Sequence, residues 1–154
     1  MRRVYLLILF LVINFGGLAL GNWFMGEGAT STWYNTLNKA PWTPPGWVFG
    51  VSWTLIMICF SIYLTYLFSI RYSKVVTAVF ALAFLLNVSW NYVFFSQHLV
   101  SIALAIIIAL TLTIFYLYVT FRDDKLNKMK YLLLPYLVWL TIATSLNAYV
   151  VIYN

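Results

Sequence analysis

Ionisable side chains that could catalyse a reaction or bind a metal ion are scarce in this sequence. The carboxylates are Glu27, Asp123 and Asp124, the single histidine is His98, and the single cysteine is Cys59. Acid–base and nucleophilic catalysis need partners within hydrogen-bond reach, and a metal site needs several clustered ligands. The carboxylates and the histidine fall in connections or at the edges of apolar runs, and one cysteine allows no disulfide within the chain. The sequence therefore predicts no conventional catalytic residue and no metal ligand.

Aromatic and carboxamide side chains instead recur at helical spacing inside the apolar runs. Residues three or four apart share one face of a helix. Three such stripes are Trp53, Met57 and Phe60; Asn87, Trp90, Asn91 and Phe94; and Trp139, Ala143, Leu146 and Asn147. In the third stripe a small residue follows a large ring by one turn, which leaves a recess. These side chains favour the binding of a flat apolar ligand.

Two simpler explanations of these side chains stay open. Tryptophan concentrates at membrane interfaces, which is the explanation we favour for Trp23, Trp33 and Trp47. Asn87, Asn91 and Asn147 must face the interior of a helix bundle, because a carboxamide facing lipid would lack hydrogen-bond partners. Hydrogen bonds between helices and contacts with a ligand are both consistent with that position.

The elements that must position these side chains are five long apolar runs. The chain of 154 residues is 64% hydrophobic and 8% charged, whereas a soluble domain is about one quarter charged. The runs cover residues 4–24, 46–70, 75–96, 99–121 and 131–152. Each is long enough to cross a bilayer as a helix, which takes roughly 20 residues, and none shows the alternation of a membrane β-barrel. We predict an all-α membrane protein in which residues 1–154 form one domain, a single bundle of five transmembrane helices.

The basic residues indicate how this bundle is oriented. Eight of them fall on one side if successive helices alternate in direction: Arg2, Arg3, Arg71, Lys74, Arg122, Lys125, Lys128 and Lys130. Only Lys39 falls on the other side. Because Lys and Arg concentrate in cytoplasmic connections, we predict a cytoplasmic N-terminus and an external C-terminus. The same distribution accounts for the net charge of +6 without a nucleic-acid partner. A cleaved signal peptide over the first run is the alternative.

The connection over residues 25–45 is longer than the others. It contains Trp33, Tyr34, Trp42 and three of the four prolines. Each proline fixes its own φ and disfavours helix at the residue before it, so the segment before Gly46 is stiff and extended. Its aromatic content predicts a lid packed over the bundle.

Several segments resemble one known family. Residues 33–34 (WY), 40–50 (APWTPPGWVFG) and 53–54 (WT) are similar to the signature of the translocator protein / tryptophan-rich sensory protein family, also called the peripheral-type benzodiazepine receptor family. Blocks around Asn87 and Trp90, and over residues 134–147, agree with it. Two departures stand out. Val51 and Ser52 replace the proline and valine of the family's Gly-Pro-Val-Trp, and the C-terminal residues lack the basic residue of a cholesterol-recognition motif.

The resemblance implies a five-helix membrane receptor or sensor, usually a homodimer, in the lipid bilayer of a bacterial cytoplasmic membrane. Family members bind porphyrins such as protoporphyrin IX and, in animals, cholesterol and benzodiazepine-type ligands. The resemblance implies porphyrin as the ligand, no required cofactor, and a link to tetrapyrrole transport or stress response. It also implies that ten residues line a pocket under the first loop: Tyr34, Pro44, Trp53, Met57, Asn87, Trp90, Phe94, Trp139, Ala143 and Leu146.

An enzyme-like activity is the alternative that the same resemblance implies. Relatives are associated with light-dependent breakdown of porphyrin. In that case Trp53 and Trp139 would be the redox-active partners of the excited ligand.

Overall fold

Residues 2–121 and 124–154 are described in a computed structural model of the chain. The described residues form seven α-helices: α1 (Arg2–Met25), α2 (Thr32–Thr36), α3 (Gly46–Ile70), α4 (Lys74–Asn91), α5 (Val100–Thr120), α6 (Asp124–Met129) and α7 (Leu134–Tyr153). A π-helical turn, Tyr92–Ser96, continues α4, and 3₁₀ turns cover Gly28–Thr30 and Lys130–Leu133. Within the described residues, five helical segments are long and apolar enough to cross a membrane. The predicted all-α architecture with five spans is confirmed.

Local sequence signals explain most of the helix ends. α3 begins at Gly46, directly after Pro45, as the run of prolines predicts. The Ser73 side chain caps the start of α4 by accepting a hydrogen bond from the Val76 N–H. α7 begins at Leu134, later than the predicted start of the fifth span, because residues 124–133 form α6 and a 3₁₀ turn. Pro135 lies in the first turn of α7, where its missing N–H costs no hydrogen bond.

The five long helices form a closed ring in the order α1, α3, α7, α5, α4. Although only residues 71–73 join α3 and α4, α1 lies between them in this order. Aromatic side chains of α3 and α4 both contact Phe10 of α1. Phe10 packs against Phe68 of α3 at 4.8 Å and against Phe80 of α4 at 5.4 Å between ring centroids.

Two glycines allow α1 to approach α4 closely. A Cβ atom added at Gly17 would lie 2.5 Å from a ring carbon of Phe84, and one added at Gly21 would lie 2.6 Å from the Asn91 side chain. Gly16, on another face of α1, has open space around it. The Gly17 and Gly21 pair therefore serves packing within the chain.

Polar side chains in the bundle interior join helices that are distant in sequence. Asn14 of α1 donates to the Ser61 hydroxyl of α3 at 2.8 Å, and both residues are buried. The Tyr63 hydroxyl of α3 donates to the Leu117 carbonyl of α5 at 3.0 Å. These bonds satisfy groups that would otherwise be unpaired in an apolar environment.

Candidate ligand-binding site

A cavity of about 50 Å³ lies beneath the lid, between the start of α3, the end of α4 and the C-terminal half of α7. The lid residues 25–45 cover it from one end of the bundle, and most of its lining is apolar. The lining residues are Tyr34, Lys39, Ala40, Thr43, Phe49, Trp90, Phe94, Phe95, Ala143, Leu146, Asn147 and Val150. We call this space the lid cavity.

The wall of the lid cavity that α4 contributes is aromatic. Trp90 stacks on Phe94 with 5.1 Å between ring centroids and 19° between ring planes. Phe94 and Phe95 meet edge to face at 4.8 Å, and Tyr34 of the lid packs on Phe95 at 5.4 Å. Trp33 closes the outside of the wall against Phe94 at 5.7 Å. A wall of flat rings suits a flat conjugated ligand.

Phe94 and Phe95 are consecutive residues of the π-helical turn Tyr92–Ser96, and both line the cavity. Phe94 follows Trp90 by four residues and Phe95 follows Asn91 by four, so both continue the stripe on α4. Such turns are rare and often occur at functional sites.

Few polar groups line the lid cavity. Among its described lining residues, Lys39 is the one with a formal charge, and its Nζ lies 4.6 Å from the centroid of the Tyr34 ring. Burial raises the pKa of the Tyr34 phenol above its ordinary value, so the hydroxyl stays protonated at physiological pH and can donate a hydrogen bond. The cavity therefore offers a cation and a phenol to an otherwise apolar ligand.

Asn147 joins three helices at the back of the lid cavity. Its Oδ1 accepts a hydrogen bond from Trp90 Nε1 of α4 at 3.1 Å, and its Nδ2 donates to the Val100 carbonyl of α5 at 3.0 Å. The side chain is 2% exposed. Of the two roles that the sequence left open for Asn147, the structure shows the hydrogen bonds between helices.

Five of the ten residues predicted to contact the ligand line the lid cavity: Tyr34, Trp90, Phe94, Ala143 and Leu146. The predicted region, between the second, third and fifth spans beneath the lid, contains the cavity. Contact with a ligand stays a prediction for all ten residues.

The other five predicted residues lie outside the lining. Pro44 is half-buried in the lid beside Thr43. Trp139 is buried behind the wall, packed edge-on against Phe49 at 5.1 Å. Within the described chain its Nε1 has no hydrogen-bond partner. Helical periodicity placed Trp139 on the correct face of α7, but it cannot specify that Phe49 stands between this ring and the cavity.

Trp53, Met57 and Asn87 lie deeper in the bundle. Trp53 packs against Tyr136 at 5.9 Å, and Asn87 Nδ2 donates to the Tyr136 hydroxyl at 2.9 Å. Met57 and Asn87 line a separate space of about 10 Å³. That volume is near the lower limit for one water molecule.

Six lining residues were missed by sequence reasoning: Lys39, Ala40, Thr43, Phe49, Phe95 and Val150. Val150 continues the stripe of Ala143 and Leu146 by one turn, so periodicity could have found it. Phe95 lies four residues after Asn91, so the stripe on α4 could have found it as well. Lys39 could have been singled out by its charge, because it is the one basic residue on the predicted external side.

Hydrogen bonds fasten the lid to α7. The Asn38 backbone N–H donates to Asn154 Oδ1 at 2.9 Å, and Asn154 Nδ2 donates back to the Asn38 carbonyl at 3.3 Å. The Asn38 side chain donates to the Tyr153 carbonyl at 3.0 Å. Trp42 Nε1 donates to the Ser145 hydroxyl at 3.1 Å. The lid is thus a packed cover, as its aromatic residues predict.

His98 follows the π-helical turn at the end of α4. It stacks on Trp33 with 3.9 Å between ring centroids and has a positive φ of 55°. Both residues line an open groove of about 460 Å³ between the lid, the start of α5 and the end of α7. This groove is separate from the lid cavity, although Val150 contributes to both.

Comparison with known proteins agrees with the fold and with the signature residues. The model of the TspO/MBR family matches residues 8–153. The chain is 32% identical to the tryptophan-rich protein TspO of Archaeoglobus fulgidus, over 100% of this chain and 97% of that protein. It is 33% identical to the tryptophan-rich sensory protein of Cereibacter sphaeroides, over 75% of this chain and 72% of the relative. It is 31% identical to protein CrtK of Rhodobacter capsulatus, over 75% of this chain and 74% of that protein.

The matched region covers α3, α4, α5 and α7, the lid, and α1 from residue 8 onward. Relatives of this kind and five apolar helices of spanning length make the chain an integral membrane protein, and the bacterial relatives support a bacterial membrane as its location. The chain belongs to the TspO/MBR family.

Proposed function

We propose that the protein is a membrane receptor that senses porphyrin, binding a tetrapyrrole of the protoporphyrin IX type in the lid cavity. The observation that carries this proposal is the wall of stacked rings, Trp90, Phe94 and Phe95, opposite the small residue Ala143 beneath a closed lid. Apolar contact would supply the affinity, and the few polar groups would orient the ligand. Relatives named tryptophan-rich sensory protein support the sensing role.

The size of the cavity adds a step to binding. At about 50 Å³ it is smaller than the roughly 300–1,000 Å³ of ordinary ligand pockets. A porphyrin must therefore displace the lid or separate α4 from α7 as it enters. The lid is the weaker barrier, because its bonds to α7 through Asn38, Trp42 and Asn154 are exposed to solvent.

The polar groups of the cavity fit the carboxylates of such a ligand. Lys39 is a cation on the lid side of the cavity, with its Nζ over the ring of Tyr34, whose phenol also lines the cavity. An ion pair with a propionate group would place the carboxylates toward solvent and the ring system toward Trp90. This polarity matches a flat molecule that is apolar over most of its area and acidic at one edge.

Light-dependent breakdown of porphyrin is less well supported by the geometry. Trp139 lies behind Phe49, and Trp53 packs against Tyr136, so neither indole lines the lid cavity. The tryptophan that does line it is Trp90. Binding is therefore the function that we propose, with the other activity as an outcome to be checked by illuminating the purified complex.

Titration of the purified protein with protoporphyrin IX tests the proposal, with quenching of tryptophan fluorescence as the signal. We expect Trp90→Leu to weaken binding about fivefold or more, because an aromatic pair contributes about 1 kcal/mol beyond its buried area. Trp47→Leu is the matched control, since Trp47 is 72% exposed on the outer surface. Unchanged affinity in Trp90→Leu would contradict the proposed site.

A further inference from the structure

The indole of Trp90 is fixed at both its edge and its face. Its Nε1 donates to Asn147 Oδ1 at 3.1 Å, and its ring stacks on Phe94. A buried indole has one polar hydrogen, which usually finds an acceptor. With that edge held by Asn147, the ring is free to present a face as the wall of the lid cavity.

Asn147 is itself held by a group that does not move with Trp90. Its Nδ2 donates to the Val100 carbonyl in the first turn of α5. A carboxamide can rotate about its last side-chain bond, and the second hydrogen bond removes that freedom. The Trp90 ring is thus tied through Asn147 to a third helix.

The position of Asn147 also matters for the shape of the site. Asn147 lines the lid cavity, whereas Val100, its bonding partner, lines the open groove on the far side. The carboxamide therefore stands in the partition between the two spaces. Without it, the Trp90 indole N–H would lose its acceptor, and the ring would lose the contact that sets its angle.

We propose that Asn147 is a positioning residue that holds the Trp90 ring at the angle required for ligand binding in the lid cavity. The proposal rests on the proposed function, but the position of the Trp90 ring is measurable without a ligand. Asn147 acts on the ligand through Trp90, so the effects of the two residues on affinity are coupled.

Fluorine NMR of protein labelled with 5-fluorotryptophan reports directly on the ring. The chain has seven tryptophans, and Trp90→Phe assigns one resonance by its disappearance. We expect Asn147→Leu to shift that resonance and leave those of exposed tryptophans such as Trp47 in place. Asn147→Ser, whose hydroxyl is too short to bridge α4 and α5, should shift it as well and serves if the leucine variant does not fold.

Asn14→Leu is the matched control, because Asn14 is a similarly buried asparagine that bonds Ser61 between two other helices. It should leave the Trp90 resonance unchanged even if it lowers stability. A shift of equal size in Asn14→Leu would mean that the resonance reports general loosening of the bundle, and it would overturn the proposal.

Binding supplies the second measurement. We expect Asn147→Leu to weaken protoporphyrin IX binding about tenfold in the wild-type background and to have little further effect in Trp90→Phe. Equal losses in both backgrounds, an unmoved Trp90 resonance, or a moved resonance with unchanged affinity would each overturn the proposal. Failure of the wild-type protein to bind any porphyrin would instead refute the proposed function, and the Trp90 resonance would still decide whether Asn147 fixes the ring.

Discussion

Lys39 is the residue whose role changes most between sequence and structure. In the sequence it is only the exception to a one-sided distribution of basic residues. In the structure its ammonium group lies over the Tyr34 ring and beside the lid cavity. A cation held on a ring near an apolar space is suited to attract an acidic ligand.

Replacing Lys39 by methionine should separate charge recognition from apolar binding. We expect Lys39→Met to weaken binding of protoporphyrin IX about fivefold, since an exposed ion pair contributes up to about 1 kcal/mol. Binding of the dimethyl ester, which has no carboxylates, should be nearly unchanged. Fluorescence titration with both ligands gives the comparison, and an equal loss for acid and ester would show that Lys39 does not recognise charge.

Some of the elements that form the site can be predicted from the sequence, and others cannot. The start of α3 at Gly46 follows from the prolines before it, and the stripe on α7 follows from helical period. The π-helical turn has no comparable signal, although Phe95, four residues after Asn91, continues the stripe on α4. Trp53 and Met57 lie one and two turns further along α3 than the lining residue Phe49; periodicity fixes direction around a helix and says nothing of depth along it.

The lid should control the rate at which ligand enters. Asn154→Ala removes two hydrogen bonds between lid and α7, each contributing about 1 kcal/mol. We expect porphyrin association in stopped-flow measurements to become about tenfold faster, with a parallel increase in dissociation. Asn35→Ala is the control, since the Asn35 side chain donates to the Thr30 carbonyl, within the lid itself. Unchanged association in Asn154→Ala would mean that ligand enters by another route.

For the whole molecule, hydropathy was sufficient to predict five spans, and the order of the helices around the ring was not predictable from it. Each predicted apolar run corresponds to one long helix in the structure. Backbone groups exposed to lipid are costly if unpaired, and a helix pairs them all within the run. The ring order depends on which faces fit together. Gly17 and Gly21 let α4 pack closely against α1, and Asn14 of α1 bonds Ser61 of α3. α1 therefore lies between two helices that are consecutive in the chain.

The predicted orientation is testable because the chain has one cysteine, Cys59, which lies within α3. In intact cells a membrane-impermeant maleimide should label a cysteine introduced at Thr36 in the lid. A cysteine introduced at Lys128 in α6 should react only after the membrane is permeabilised. The parent chain, with Cys59 inside the membrane, should stay unlabelled under both conditions. Labelling of Lys128→Cys in intact cells would reverse the orientation.

The place of α1 between α3 and α4 has a consequence for biosynthesis. α1 is made first; of its packing partners, Ser61 belongs to the next span and Phe84 to the span after it. Because α1 packs on both α3 and α4, we expect it to be the template on which these two spans are placed around the ring. Inserting the same helices without α1 should leave a cleft between α3 and α4, and two separately expressed pieces should recombine only when one of them supplies α1.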